Sequence, residues 1–356
     1  LESKSIYLKG LDGLRAISAI AVVISHTNLS MHFFGFSNLT GWDLAGYGVT
    51  IFFTLSGFLI TYLLLREKQV QSIDIKKFYI RRILRIWPLY FFYIVLVIVL
   101  GDNQPSTLLV YYFLFLPNIP FTLGFSFPHL SHFWSLGVEE QFYLFWPWLV
   151  KYSKQLFLSL LIFIAAFLSL KIFLNLFFGG WSTPYTFIYV SRFDCMAIGG
   201  VFGWIYHQRH QWALWCCHKF IQLGAWLILL AVAVNFFHIF SIFDHEIVAA
   251  ATAIIILGQV HLPKPLINLE NPLLTFLGRI SFGMYVYHPL VIYLLSKAPI
   301  YSLGGKTVQI VMIHVTVVLA TIVVSYLSFQ YFEQYFLRLK NVYSFQATKS
   351  SSLGNP

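Results

Sequence analysis

Between Leu11 and Tyr331 the chain is a succession of apolar runs joined by short polar connections. That pattern leaves few folds open. A run of about 20 apolar residues makes a helix that crosses the roughly 30 Å hydrocarbon core of a bilayer, where backbone polar groups must be bonded within the segment. The runs fall near 11–31, 44–65, 87–101, 134–150, 156–177, 185–206, 220–238, 246–260, 272–296 and 307–331. They predict an all-α, polytopic membrane protein with about ten transmembrane helices. Composition agrees, since only 10% of residues are charged, against about a quarter in a soluble domain. The net charge of +10 therefore reports orientation first. Nucleic acid is excluded as a partner, because the basic residues lie between apolar runs and not on a basic domain.

Orientation follows from where the cations sit. The connection from Arg66 to Arg85 carries Arg66, Lys68, Lys76, Lys77, Arg81, Arg82 and Arg85 against Glu67 and Asp74. The positive-inside rule makes it cytoplasmic, and with it both the N- and C-termini. Lys151, Lys154, Arg209, Lys219, Lys264, Arg338, Lys340 and Lys349 then fall inside, while Lys171, Lys297 and Lys306 fall near the outer face. Residues 106–117 are apolar but short and end at Pro117 and Pro120, which suits a re-entrant or interfacial element. The expected organisation is one membrane domain, 1–340, and a short, polar, disordered cytoplasmic tail, 341–356. No cleavable signal peptide, second soluble domain or internal repeat is evident. Cys195, Cys216 and Cys217 lack metal-ligand spacing and read as packing residues.

Against this background the polar residues inside apolar runs carry the chemistry. Lys9-Gly10-Leu11-Asp12-Gly13-Leu14-Arg15 opens the first run, and His26 follows eleven positions later, about 16 Å of helix rise from Arg15. With Arg15 at one membrane face, the imidazole sits near the middle. A buried histidine is either bonded into helix packing or poised to take a proton, and the cationic mouth favours the second. Arg81, Arg82 and Arg85 lie at the inner end of the third run; Arg82 and Arg85, three apart, share a helix face. They read either as topology charge or as a bidentate phosphate site for a ligand such as a nucleotide-bearing acyl thioester. Glu139 and Glu140 lie one to two turns into the fourth run and point about 100° apart, so only one faces the cavity of His26. Arg192 and Asp194 suggest an internal ion pair, and His288-Pro289 either a kink or a second cavity residue. Ser56-Gly57 reads as a close helix approach; no G-x-S-x-G elbow is present.

Taken together these blocks resemble the acyltransferase family 3 integral membrane O-acyltransferases, which include bacterial O-antigen and cell-wall polysaccharide acetylases. The resemblance is carried by Gly10-Leu-Asp-Gly-Leu-Arg15 with His26, Phe52-Phe-Thr-Leu-Ser-Gly-Phe-Leu59, and Arg81-Arg-Ile-Leu-Arg-Ile-Trp-Pro88. It continues through Trp134-Ser-Leu-Gly-Val-Glu-Glu-Gln-Phe-Tyr143, Arg192-Phe-Asp194 with Gly199-Gly200, and Ser281-Phe-Gly-Met-Tyr-Val-Tyr-His-Pro289, in the family's order. Where the family commonly shows a proline in a Glu-x-Pro-like ending, Glu333-Gln334 is followed by Tyr335.

The resemblance implies transfer of an acyl group, usually acetyl, from cytoplasmic acetyl-CoA to a hydroxyl of an extracytoplasmic glycan. The acceptor classes are O-antigen lipopolysaccharide, capsule, exopolysaccharide and peptidoglycan, reached from the bacterial inner membrane with no metal. It assigns Arg15 and His26 as the catalytic pair and Arg82 and Arg85 as holders of the CoA donor, with Arg81 beside them. Glu139 or Glu140 joins the site in a lesser role. Other implied partners are membrane lipids and a separate periplasmic protein that relays to the acceptor. His26 acts either as a general base or as a transient acyl carrier, and Arg15 positions the donor or polarises its thioester. The competing expectation is a transporter of an anionic solute that uses the arginines and His26 as a relay. A lipid-linked sugar transferase would show acidic metal-binding motifs, and Asp is scarce.

Overall fold

The computed structural model describes residues 7–343, apart from 42, 101–105, 126, 128, 181, 237–241 and 299–304. Among the described residues the chain is helical and without strands, and the apolar runs account for this directly. In chain order the helices are α1 (Leu11–Leu29), α2 (Leu44–Val70), α3 (Ile75–Val99), α4 (Leu109–Phe113), α5 (Asn118–Thr122), α6 (Trp134–Tyr152), α7 (Leu156–Phe178) and α8 (Thr183–Ser191). They continue as α9 (Phe193–His207), α10 (Trp212–Cys216), α11 (Lys219–Ala233), α12 (Asp244–His261), α13 (Pro272–Ser296), α14 (Lys306–Ser328) and α15 (Gln334–Val342).

Local chemistry sets several starts. The carboxylates of Asp43 and Asp74 accept from the Gly46 and Lys77 amides at 2.9 and 3.0 Å, and Asn271 Oδ1 accepts from Leu274 at 2.9 Å. These are N-caps that satisfy donors left open in a first helical turn. Gly10 precedes α1 at φ +74°, a conformation that side chains resist, and its amide donates to Glu270 Oε2 at 2.7 Å.

Among the described residues four segments are long and apolar enough to cross a membrane: α2, α3, α7 and the continuous stretch Lys306–Lys340 through α14 and α15. The protein is therefore a membrane protein. Its helices are not equivalent. In α2, 78% of the apolar window is buried inside the protein, against 17% in α7. Helix α2 is the central post, and α7 presents its side chains outward. Val311, Val315, Leu319 and Val323 form an exposed stripe at four-residue spacing along α14, as a lipid-facing helix requires. Lipid supplies no hydrophobic drive between helices, so close packing must. At the crossing of α2 and α9, a Cβ on Gly57 would lie 1.8 Å from the Met196 carbonyl oxygen, and one on Gly199 2.1 Å from that of Thr54. Neither position tolerates a side chain.

Two expected boundaries are corrected. The third run, expected from residue 87, begins at Ile75, because Asp74 caps a helix that carries the arginines into the bundle. The sixth, expected unbroken over 185–206, divides at Arg192, whose φ of +44° ends α8 and starts α9. Helix α15 runs to Val342, and residues 344–356, with Lys349 and most of the expected tail, lie outside the described residues. Residues 106–117 hold only a short turn and the five-residue α4, in keeping with a segment that does not span.

Candidate active site

At the end of the bundle where α1 begins, six helices leave a cavity of about 390 Å³. Helix α1 contributes Asp12 and Arg15, α3 contributes Arg81, Arg82 and Arg85, and α15 contributes Lys340. The walls between are apolar, with Phe52, Leu59 and Leu63 from α2 and Phe282 from α13.

The cations differ in what they bond. Arg15 pairs with Asp12, and Arg81 donates to Glu67 Oε2 at 3.2 Å and to the Tyr343 carbonyl at 2.9 Å. Arg82 is packed against aromatic faces, its guanidinium carbon 5.6 and 5.2 Å from the ring centres of Phe78 and Tyr143, with Nε buried and unbonded. Among the described residues Arg82, Arg85 and Lys340 enter no ion pair. The cavity thus keeps positive charge that the protein does not neutralise, which is what an anionic ligand requires.

Deeper in the cavity stands Glu139, accepting from the Ser56 and Tyr143 hydroxyls. Glu140 faces elsewhere: its Oε2 accepts from Trp87 Nε1 at 3.0 Å, and it does not line the cavity. The helical angle between neighbours separates the two carboxylates.

The far wall is Ser135 and Tyr285. The Tyr285 hydroxyl lies 2.6 Å from the His132 carbonyl and 2.5 Å from the Ser135 hydroxyl. Behind this pair stands a histidine cluster. The Tyr285 ring centre is 5.5 Å from that of His132 and 5.9 Å from that of His288, and His26 meets His288 edge to edge, with ring centres 4.8 Å apart and planes 20° apart. His26 falls in the last turn of α1 and does not line the cavity; it connects through His288 to Tyr285, which does. The structure therefore gathers Arg15, Arg81, Arg82, Arg85 and Glu139 around one space, sets His26 beyond its far wall, and leaves Glu140 outside. Sequence reasoning missed His132, Lys340 and the role of Tyr285. Only Tyr285 carried a signal, inside the block Ser281–Pro289. Glu333, before the unexpected Tyr335, is buried in a π-helical segment, Phe329–Glu333, and accepts from the Ser328 hydroxyl at 3.2 Å.

A second polar cluster occupies the other end of α2. Arg192 and Asp194, expected to pair, do not: the break at Arg192 turns them apart. Arg192 donates to the Gly46 carbonyl at 2.7 Å and to Thr50 Oγ1 at 3.1 Å, while Asp194 accepts from the Cys195 amide at 2.9 Å. The ion pair there is Lys171 with Glu246, both buried. His245 bridges Thr50 Oγ1 and the Tyr189 hydroxyl at 3.0 and 2.9 Å. Asp194, Cys195 and Glu246 bring ligand-type atoms within 4.8 Å of one another, but the Lys171 ammonium already supplies a cation to Glu246.

Known proteins share this sequence pattern. The peptidoglycan O-acetyltransferase OatA of Listeria monocytogenes is 38% identical over 159 residues, covering 40% of this chain and 24% of that protein. The O-acetyltransferase OatA of Staphylococcus aureus is 26% identical over 365 residues, covering 92% of this chain and 57% of that protein. The chain thus spans about half the length of the second and less of the first. No solved structure matches. The family described as Acyltransferase domain matches residues 8–336, nearly the whole described chain, and the chain belongs to this family, acyltransferase family 3.

Proposed function

We propose that the protein is a membrane-embedded O-acetyltransferase that moves an acetyl group from cytoplasmic acetyl-CoA to a hydroxyl of an extracytoplasmic glycan. The observation that carries this reading is the set of cavity cations without ion-pair partners, Arg82, Arg85 and Lys340, at one end of an apolar-walled space. CoA is polyanionic at its nucleotide end and less polar along its pantetheine arm. Its phosphates fit the arginines, and its arm fits the wall formed by Phe52, Leu59 and Leu63. The thioester then lies toward Ser135 and Tyr285, with His26 beyond. Peptidoglycan is the favoured acceptor, from the name of the Listeria relative.

In the reaction the acceptor oxygen attacks the thioester carbonyl as His26 takes its proton. The C–S bond then breaks, and the proton passes to the departing thiolate. Arg15, held by Asp12, faces the donor from α1. The topology that goes with this reading has about ten spans in the bacterial inner membrane and both termini in the cytoplasm. The basic connections between apolar runs support it.

The test is transfer of label from isotopically labelled acetyl-CoA to envelope glycan in membranes carrying the parent or His26→Ala at matched abundance. Label in the parent and its loss in the variant are the expected result. Equal label in both removes His26 from the chemistry. Passage of label across the membrane without glycan acetylation replaces the enzyme with a transporter.

A further inference from the structure

His26 of α1 and His288 of α13 are 262 positions apart, and their Nδ1 and Nε2 atoms are 2.5 Å apart. A contact between two imidazole nitrogens needs one donor and one acceptor. The other bond of His288 decides which is which. Its Nδ1 is 3.2 Å from the Met284 carbonyl oxygen, which only accepts, so Nδ1 carries the proton of the neutral ring. That leaves a lone pair on His288 Nε2, and the proton between the two rings belongs to His26 Nδ1. The next residue, Pro289, has no amide proton for the Tyr285 carbonyl, which loosens the turn that carries His288.

We propose that His288 is a positioning residue that holds His26 as the Nδ1–H tautomer and leaves His26 Nε2 as the basic atom. This rests on the reading of His26 as the proton acceptor. A histidine in water favours the opposite tautomer, with the proton on Nε2, so the arrangement is imposed by the partner ring. It also serves both charge states. When Nε2 takes the acceptor's proton, the imidazolium still donates from Nδ1 to His288, and the ring keeps its orientation. An oriented base differs from a merely buried one in this respect.

The experiment uses the full chain in lipid nanodiscs with ¹⁵N-labelled histidine, the His26 signals assigned by their loss in His26→Gln. At neutral pH the parent shows His26 protonated at Nδ1 and bare at Nε2. His288→Leu moves the proton to Nε2, whereas His288→Gln, whose side-chain oxygen accepts in the same place, keeps the parent tautomer. In transfer assays His288→Leu lowers kcat by about 10²-fold, the scale of a disoriented general base, with KM for acetyl-CoA unchanged, and His288→Gln recovers most of the loss. A parent His26 protonated at Nε2, or a tautomer indifferent to His288→Leu, overturns the proposal without need of an activity measurement. Full transfer activity in His26→Gln overturns the base assignment itself and is read separately from the tautomer.

Discussion

Two polar clusters share this bundle, one at each end of α2, and both are built from arginine, lysine and acidic side chains. In the cluster around Arg192 each charged side chain has at least one bond within the fold, though Arg192 Nε, Asp194 Oδ2 and Glu246 Oε2 stay unbonded among the described residues: Lys171 holds Glu246, Arg192 bonds the Gly46 carbonyl and Thr50, Asp194 accepts from the Cys195 amide, and His245 bridges Thr50 to Tyr189. In the cluster around Arg82, Arg15 and Arg81 have acidic partners, but the cavity keeps Arg82, Arg85 and Lys340 without one among the described residues. Burying a charge is costly, and a fold tolerates it by pairing the charge or by leaving it where a ligand pairs it. Intramembrane charge alone therefore does not mark a site. Charge beside open volume does.

Removing one half of the buried ion pair has the largest expected effect. Lys171→Met leaves Glu246 buried without its cation, at a cost of about 3–5 kcal/mol. Thermal unfolding in detergent is expected to show a large fall in midpoint, with most of it regained in Lys171→Met/Glu246→Leu. An unchanged midpoint would mean that this cluster is not structural.

Arg85→Ala is the mirror case. It removes an exposed cation without an ion pair, so the unfolding midpoint stays put while KM for acetyl-CoA rises by about 10- to 100-fold, the worth of one charge-assisted contact. Arg192→Ala is expected to do the reverse, lowering the midpoint and sparing KM in whatever protein still folds. Steady-state kinetics on protein matched for folding separates the two.

A smaller effect distinguishes adjacent carboxylates. Glu139→Gln perturbs the bonds to Ser56 and Tyr143 inside the cavity and lowers kcat/KM by about tenfold, one lost charge-assisted bond. Glu140→Gln, bonded to Trp87 away from the cavity, leaves kcat/KM within about twofold. The reverse ranking would assign the site to the other face of α6.

Much of the frame was legible in the sequence because hydrophobic runs declare helices wherever lipid is the solvent. The convergence of Arg82 and Arg85 was legible too, since three-residue spacing puts both on one helix face. What failed to show depends on contacts between distant elements. Arg81 looks equivalent to Arg82 in sequence, yet Glu67 from the last turns of α2 takes it up. Arg192 and Asp194 look like a pair, yet a left-handed residue between two helices parts them. Lys340 reads as a topology charge until α15 brings it to the cavity. His26 declared itself as an ionisable group in an apolar run, but its partner His288 is 262 positions away.

The most direct test of the central account is equilibrium binding of CoA to the purified full chain, comparing the parent with Arg82→Ala/Arg85→Ala. Saturable binding to the parent is expected, weakened by at least about 100-fold in the variant, two charge-assisted contacts being lost, with the unliganded variant still folded. Equal affinity in both would contradict it, because the cations that the fold leaves unpaired would then not be holding the donor.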